Sequence, residues 1–505
     1  MLVLIRADAS STIGTGHVMR CLSLAELYKS LGADVRFICK DFTGNLITKL
    51  ETLGYPVERL SISKTSSAQT GYSHWLGGTQ EDDLKQTRQF IHSLSHKPDL
   101  LIVDHYSLNK DWETPISAHV EKIMVIDDLA NRHHNCDILV DQSPMRGEAD
   151  YQNLVKPKCQ LLLGNYFSIL NPSYLGYRQR ASFKRQAYSS LKRLLLNFGG
   201  SDQDNLTLKS LQLLENSQLA DVVILDVVVG AAYQQLDSLQ LAAQLSRFQI
   251  EVNQAVKDMP QRQLAADLAI GAAGGSAWER CYLGLPTICY CMVENQRDNT
   301  AAMDAHAVAV VIPELTQQEL DQALVKVDER YQNLSAAAQA LIDGHGTERI
   351  AFASLTTSNN LGRAIYLQRA ARGDAEQLFQ WQSLPQTRQY ANSPEAPLWQ
   401  EHLSWFEQAL DSSDEYIFLA KSGNVDLGSV RLTQQANKSM LISIYCAPAH
   451  YRQGNAYAML RLIRMCFPTV KLEAQVKIEN HASQKLFKKS GFQQIKPDYW
   501  VQEQR

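Results

Sequence analysis

Short, largely apolar runs alternate with segments of helical spacing along the first two thirds of the chain. Between residues 1 and about 165 the runs fall at 2–5, 35–39, 100–103, 123–126 and 138–140. Each is too short for a helix and reads as a strand buried on both faces. After the first run the apolar positions are Val18, Cys21, Leu22, Ala25 and Tyr28, a helical spacing. Strands alternating with helices predict a mostly parallel sheet. The pattern fades over 165–190, where Asn171-Pro172, Gly176 and a cluster of Arg and Lys read as a linker. It resumes with runs at 191–197, 222–229, 248–252, 268–270 and 287–291. Two doubly wound units follow, over 1–170 and 190–350. Beyond a polar stretch at 356–360 the pattern changes. Strands at 364–367, 416–420, 427–432 and 440–446, with helices near 373–381 and 399–410 and another opening at Gly454, predict a smaller α+β domain over 363–505.

Chemistry is expected where strands of a doubly wound sheet end. The first strand runs into Arg6-Ala7-Asp8-Ala9-Ser10-Ser11-Thr12-Ile13-Gly14-Thr15-Gly16-His17. Gly14 and Gly16 permit backbone conformations closed to other residues, and the following helix start offers N–H groups and a partial positive charge to an anion. His17, at the junction of loop and helix, reads as a helix cap or as a base suited to neutral pH. Later strand ends carry Asp104-His105-Tyr106, Asp127-Asp128 and Asp141. Aspartates there suit helix caps, so Asp127 and Asp128 read as structural. Tyr106 does not fit that role. In the second unit the strand at 268–270 runs into Gly271-Ala272-Ala273-Gly274-Gly275-Ser276-Ala277-Trp278-Glu279, and the strand at 287–291 is followed by Glu294-Asn295-Gln296.

Composition narrows the class. The chain has 505 residues, 45% hydrophobic and 20% charged, with a formal charge of −4. That balance gives no support to a nucleic-acid surface. Arg6 and Asp8 interrupt the first apolar run, so no signal peptide is expected. The longest apolar stretch, 222–232, contains Asp226 and is too short to span a bilayer. Nine cysteines without a C-x-x-C pair suit thiols in a reducing cytoplasm. His133 and His134 diverge on either a strand or a helix and have no matching third ligand, so no metal is expected.

The string from Arg6 to Cys21 closely resembles the start of the UDP-sugar hydrolases of pseudaminic acid biosynthesis, which remove UDP from UDP-2,4-diacetamido-2,4,6-trideoxy-β-L-altropyranose. The resemblance runs to about residue 350. It implies that His17 is the catalytic base and that Arg6, Asp8, Gly14, Thr15 and Gly16 belong to the substrate site. It also implies that Tyr106, from the D-H-Y strand end, lies in that site. The Gly-Gly-Ser-x-x-Glu segment resembles the UDP-binding stretch of the glycosyltransferase that makes lipid II. That likeness implies that Gly275 and Ser276 hold a diphosphate and that Glu279 accepts the ribose hydroxyls. The physics agrees, since a helix start suits a diphosphate and a carboxylate suits a pair of hydroxyls. Asn295 and Gln296 correspond to the hydrolases' N-Q pair, and amides suit acetamido and hydroxyl groups. Two facing glycine-loop units are the plan of the GT-B fold of nucleotide-sugar enzymes.

Residues 363–505 resemble the GNAT acetyltransferases, through Tyr451-Arg452-Gln453-Gly454-Asn455-Ala456 and through Asn480 to Phe492. The resemblance implies that Arg452, Gly454, Ala456 and Asn480 bind acetyl-CoA. Tyr451 replaces the usual Arg or Gln, and Phe487 replaces the Tyr that commonly protonates the departing thiolate. Trp381 and the His402-x-x-Trp405 context are similar to an N-acetyltransferase that modifies the 4-amino group of the sugar one step before the hydrolase. The expectation is therefore a cytoplasmic enzyme with an α/β fold: a GT-B-like pair, then a GNAT domain. It hydrolyses a UDP-diacetamido sugar with inversion and acetylates a UDP-4-amino sugar, using acetyl-CoA and no metal. The rival expectation is a glycosyltransferase with a non-catalytic C-terminal module.

Overall fold

The computed structural model describes residues 1–63, 71–200, 202–220, 222–231, 233–292 and 296–504. By its internal contacts the chain divides into two units, Met1–Lys29 with Ala33–Thr347, and Ser30–Gly32 with Glu348–Arg505.

The first unit holds two parallel sheets. In the first sheet β1 (Leu2–Ala7), β2 (Asp34–Lys40), β3 (Val57–Leu60), β4 (Leu100–Asp104), β5 (Ile123–Ile126), β6 (Ile138–Asp141) and β7 (Gln160–Leu163) lie in the order β3-β2-β1-β4-β5-β6-β7. Every residue of β1, β4, β5 and β6 is buried, which is why they read as continuous apolar runs. β3 and β7 were not legible. They are edge strands, partly exposed, and in β3 the middle residues are Glu58 and Arg59, as edges favour. The second sheet contains β8 (Arg193–Asn197), β9 (Ile224–Val229), β10 (Gln249–Gln254), β11 (Leu268–Ala272), β12 (Thr287–Tyr290) and β13 (Val310–Ile312), in the order β10-β9-β8-β11-β12-β13. The direction in which successive strands are laid across the sheet reverses between β1 and β4 in one sheet and between β8 and β11 in the other, all strands staying parallel. These are the switch points at which such sheets open a crevice at the carboxyl ends of their strands.

The stretch read as a linker is instead structured. Residues Pro172–Tyr177 form a 3-10 turn and Arg178–Gln186 a helix. Its arginines meet the carboxyl ends of three other helices. Arg178 donates to the carbonyls of Tyr282 at 3.2 Å, Ile342 at 2.7 Å and Gln339 at 2.7 Å. Arg185, fully buried, donates to the carbonyls of Ala266 and, at 2.8 Å, Gln263. Helix carboxyl ends leave such carbonyls unpaired and carry partial negative charge. A basic cluster that reads as linker in the sequence thus neutralises three helix termini.

The second unit is built on one mixed sheet of β14 (Thr357–Ser358), β15 (Ala364–Arg369), β16 (Glu415–Ser422), β17 (Val425–Gln434), β18 (Met440–Cys446), β19 (Leu472–Gln475), β20 (Gln493–Lys496) and β21 (Tyr499–Gln502), in the order β14-β15-β16-β17-β18-β19-β21-β20. All pairs are antiparallel except β18 with β19. The unit begins at Glu348, ahead of the polar stretch. Phe352 and Leu355 pack into its core with Ile365 and Phe418, and the buried Arg349 donates to the carbonyls of Arg369 at 3.0 Å and Ala370 at 2.8 Å. Among the described residues no helix is long and apolar enough to cross a membrane.

Candidate functional site

The switch point of the first sheet joins the end of β1 to the end of β4, and this brings His17 to Asp104. His17, the second residue of the helix Gly16–Ser30, is 8% exposed. Its Nδ1 lies 2.6 Å from Asp104 Oδ1. Arg20, one helical turn on, donates Nε at 2.6 Å and Nη2 at 2.7 Å to the same carboxylate and Nη1 at 3.0 Å to Asp128. Burial raises the Asp104 pKa, but Arg20 and then His17 outweigh it and hold the carboxyl far below the usual carboxylate range. An ionised Asp104 only accepts, so Nδ1 carries the proton, and in the neutral ring the lone pair is on Nε2. Tyr106 is buried, donates its hydroxyl to Asp128, and meets the imidazole edge-on with ring centroids 4.6 Å apart.

Arg6 and Asp8 depart from the expectation that they contact substrate. Both are fully buried in a network beneath the loop. Arg6 donates Nη1 to Asp8 at 2.7 Å and Nη2 to Asp83 at 2.7 Å, while Asp8 accepts from the Lys40 backbone N–H at 2.8 Å. Their hydrogen-bonding capacity is spent on fixing the first loop to β2 and to the helix Gln80–Ser93. Gly14 has φ +81° and closes a tight turn through its N–H to the Ser10 carbonyl at 2.9 Å. Gly16 faces open space.

The second glycine loops occupy the switch point of the other sheet. β8 ends in Phe198-Gly199-Gly200, and β11 ends at the helix Gly275–Tyr282. The two sheets' loops adjoin. A β-carbon on Gly200 would lie 3.6 Å from Thr15 Oγ1, and Gln203 Nε2 donates to the Ser11 carbonyl at 3.3 Å. Arg146, after β6, donates to Asp298 in the helix Arg297–Ala305 at 2.5 Å. Gly275 is exposed at the helix start with open space around it. Ser276 is partly buried and accepts from Arg280 Nη1 at 3.3 Å. Glu279, one turn in, accepts the Tyr174 hydroxyl on Oε2 at 2.9 Å, and burial pushes its carboxyl up to about 7. Gln296 reaches the same helix start, its Nε2 standing 3.6 Å from where a Gly274 β-carbon would be. Asn295 lies outside the described residues.

The fold therefore gathers His17, Gly14, Thr15, Gly16 and Tyr106 at one switch point and Gly275, Ser276, Glu279 and Gln296 at the other. Asp104, Arg20, Asp128 and Tyr174 were missed as site residues. Arg20 was findable, since positions three apart share a helix face. Asp104 was masked by the helix-cap reading of strand-end aspartates, and Asp128, read as structural, instead bridges Arg20 and Tyr106.

In the second unit β18 pairs with β19 only through Met440–Ile442, so the strands part beyond that point. Gly454, at φ +82°, caps the helix Asn455–Cys466, and Ala456 is in its first turn. Arg452 is exposed and has φ +60°. Asn480 accepts from the Ser483 N–H at 3.1 Å and caps the helix His481–Lys489. Phe487 is buried against Phe492, with no hydroxyl to offer. Tyr499 donates to Glu473. Tyr445, near the end of β18, is pushed up to about 12 by burial.

Comparison with known proteins bears on both units. Residues 364–493 match the Acetyltransferase (GNAT) domain model. The crystal structure of Acinetobacter baumannii MurG superposes with a TM-score of 0.50 at 15% identity, covering 69% of this chain and 98% of that one. At that identity the likeness concerns fold, and the fold is the expected one: a GT-B-like pair of Rossmann-type units followed by a GNAT domain. An uncharacterized protein of Methanocaldococcus jannaschii is 24% identical over 100% of this chain and 99% of its own. The UDP-2,4-diacetamido-2,4,6-trideoxy-β-L-altropyranose hydrolase of Campylobacter jejuni is 30% identical over 48% of this chain and 75% of its own. With three quarters of that relative covered, the chain belongs to the family of the UDP-2,4-diacetamido-2,4,6-trideoxy-β-L-altropyranose hydrolase, and a GNAT domain is joined to it.

Proposed function

We propose that the first unit hydrolyses a UDP-diacetamido-trideoxyhexose at its anomeric carbon. The observation that carries this reading is the Asp104–His17 pair at the β1–β4 switch point, beside the glycine loops of the second sheet. Asp104 fixes the ring and its tautomer, so Nε2 is the basic nitrogen. Nε2 takes a proton from water as the water oxygen bonds to the anomeric carbon. The bond from that carbon to the diphosphate oxygen breaks, and UDP leaves with its electron pair. Attack opposite the leaving group inverts the anomeric configuration, and His17 then returns its proton to solvent. Charge gathering on the diphosphate is met by N–H groups at the start of the helix Gly275–Tyr282. Glu279, held by Tyr174, accepts a ribose hydroxyl on its remaining oxygen. Tyr106 and the amide of Gln296 face the sugar. Proton NMR of the full-length chain with the UDP-sugar tests the reading, since free UDP and the inverted free sugar must appear together. A glycosidic product formed only with an added acceptor would favour a glycosyltransferase instead.

The second unit, in this reading, binds acetyl-CoA and acetylates the 4-amino group of a UDP-amino sugar. Acetyl-CoA supplies the acetyl group as a thioester. The parting of β18 and β19 beside a helix that starts at Gly454 suits a pantetheine arm and a pyrophosphate. Gly454 lets the chain enter that helix at positive φ, Ala456 puts only a methyl group in its first turn, and Arg452 adds a positive charge beside it. Asn480 holds the neighbouring helix. With Phe487 in place of an acid, the Tyr445 hydroxyl on β18 serves the thiolate in this reading. A free thiol has a pKa of about 8.5, so the thiolate leaves without full protonation. Thiol release in the presence of the 4-amino UDP-sugar tests this activity.

A further inference from the structure

The 3-10 turn Gly71–Leu76 brings two further aromatic rings to His17. Trp75 stacks on Tyr106 with centroids 5.6 Å apart and planes at 25°. Tyr72 meets Trp75 edge-on at 4.8 Å and tilts against Tyr106 at 5.0 Å. The His17 imidazole stands edge-on to the Trp75 ring at 6.0 Å. The turn is pinned from both sides. Ser107, next to Tyr106, donates to the Tyr72 carbonyl at 2.5 Å, and the Gly77 carbonyl accepts from the Ser63 N–H at 2.9 Å. Tyr106 is buried, whereas Tyr72 and Trp75 keep part of their surface in solvent. Rings that served only the core would be covered, and rings that merely decorated a surface would have no reason to gather on a candidate base. The Tyr106 hydroxyl is already taken by Asp128, so Tyr106 offers a ligand only the apolar face of its ring, and Trp75 stacked on it extends that face.

We propose that Trp75, backed by Tyr72 and Tyr106, is a specificity-determining platform for the deoxygenated carbon of the sugar. It accepts the methyl group of a 6-deoxyhexose and disfavours a hexose with a hydroxymethyl group there. The inference rests on His17 acting at the anomeric carbon, which sets the sugar ring beside the aromatic wall. The exocyclic carbon lies three bonds from the anomeric carbon through the ring oxygen, and among the substituents of such a sugar it is the one without a polar atom, the acetamido groups and the hydroxyl each needing hydrogen-bond partners, so it is the substituent that an apolar wall beside the base suits. A methyl group against aromatic faces gives up no hydrogen bond. A hydroxyl in the same place loses its water without gaining a partner. An apolar pocket rejects an added hydroxyl by on the order of 100-fold.

The test uses the full-length chain as wild type, Trp75→Ala and Trp75→Phe. The probes are UDP, a UDP-2,4-diacetamido-2,4,6-trideoxyhexose, and its 6-hydroxy counterpart of the same configuration. UDP release gives kcat/KM, and calorimetry on a His17→Asn background gives affinity without turnover. Wild type should favour the 6-deoxy sugar by on the order of 10- to 100-fold. Trp75→Ala should bring the two sugars within about threefold of each other by weakening the 6-deoxy sugar. Trp75→Phe should keep most of the preference, and UDP affinity should stay the same in all three. A Trp75→Ala loss that falls equally on both sugars, or a weakened UDP affinity, overturns the proposal, and so does an unchanged ratio. Discrimination in binding without any UDP release would leave the platform standing and remove the hydrolysis reading. Equal hydrolysis of both sugars by wild type would do the reverse.

Discussion

His17 and Glu279 are single residues whose roles separate experimentally. Replacing His17 with Asn removes the basic nitrogen while keeping a polar side chain at the helix start. Hydrolysis is expected to fall by about 100- to 10,000-fold, the usual range for loss of a general base, with UDP affinity retained in calorimetry. Turnover within a few-fold of wild type would end the assignment. Asp104→Asn should slow hydrolysis too, because an amide no longer selects the tautomer with a free Nε2. Glu279 gives a pH signature. Its carboxyl is pushed up to about 7, and only the ionised form accepts fully from a ribose hydroxyl. Uridine, which has no phosphate to titrate, should bind more tightly as pH rises through 7 and level off above it. In Glu279→Gln the affinity should be weaker and flat with pH. A sloping profile in that variant would assign the titration elsewhere.

At the scale of elements, the loop between β5 and β6 is held by a buried ion pair. His134 Nδ1 lies 2.6 Å from Glu113 Oε1 in the helix Lys110–Ile116, and its Nε2 lies 3.7 Å from Asp127. Burial alone lowers the His134 pKa, but Asp127 and Glu113 together raise it to about 9. A histidine raised on folding stabilises fully below its unfolded value of about 6.5, and that contribution is lost as pH rises through 9. The melting temperature of wild type is therefore expected to fall between pH 6.5 and 9 by more than that of His134→Gln. Parallel melting curves for the two proteins over this window would refute it. The helix Asn455–Cys466 invites a different test. A β-carbon on Gly454 would collide with the Asn360 side chain, and the residue also has positive φ, so its replacement disturbs the fold itself. Ala456→Asp is the better probe. An acid in a helix first turn is favoured by the helix dipole, yet it repels a pyrophosphate. Acetyl-CoA binding should be lost while the melting temperature holds; unchanged binding would remove this loop from the acetyl-CoA site.

For the whole molecule, the two compact units predict separable activities. In the full-length chain, His17→Asn should leave thiol release from acetyl-CoA intact, and Ala456→Asp should leave UDP release intact. Each single substitution is expected to silence one assay and change the other by less than about twofold, as additivity for distant sites implies. A substitution that reduced both would show that the units work as one. Any separately expressed second unit must begin ahead of Glu348. A start at 363 would discard Arg349, Phe352 and Leu355, and with them part of the core.

By itself, the sequence determined what depends on neighbours along the chain. The fully buried central strands, the glycine loops and the helix starting beside His17 were legible because burial on both faces writes continuous apolar runs, and because turn chemistry is local. Edge strands β3 and β7 were not: half-exposed β3 carries Glu58 and Arg59, and β7 is only four residues long and opens on a Gln. Tertiary structure alone decided which polar residues meet. Arg6 and Asp8 read as loop ligands, but packing sinks them with Asp83, a residue 77 positions from Arg6. Asp104 read as a cap, but the β1–β4 crossover sets it against His17, 87 positions earlier in the sequence. The basic cluster at 178–185 read as part of a linker, but three helix ends converge on it. The charge state and role of a polar side chain follow from partners that only the sheet topology delivers.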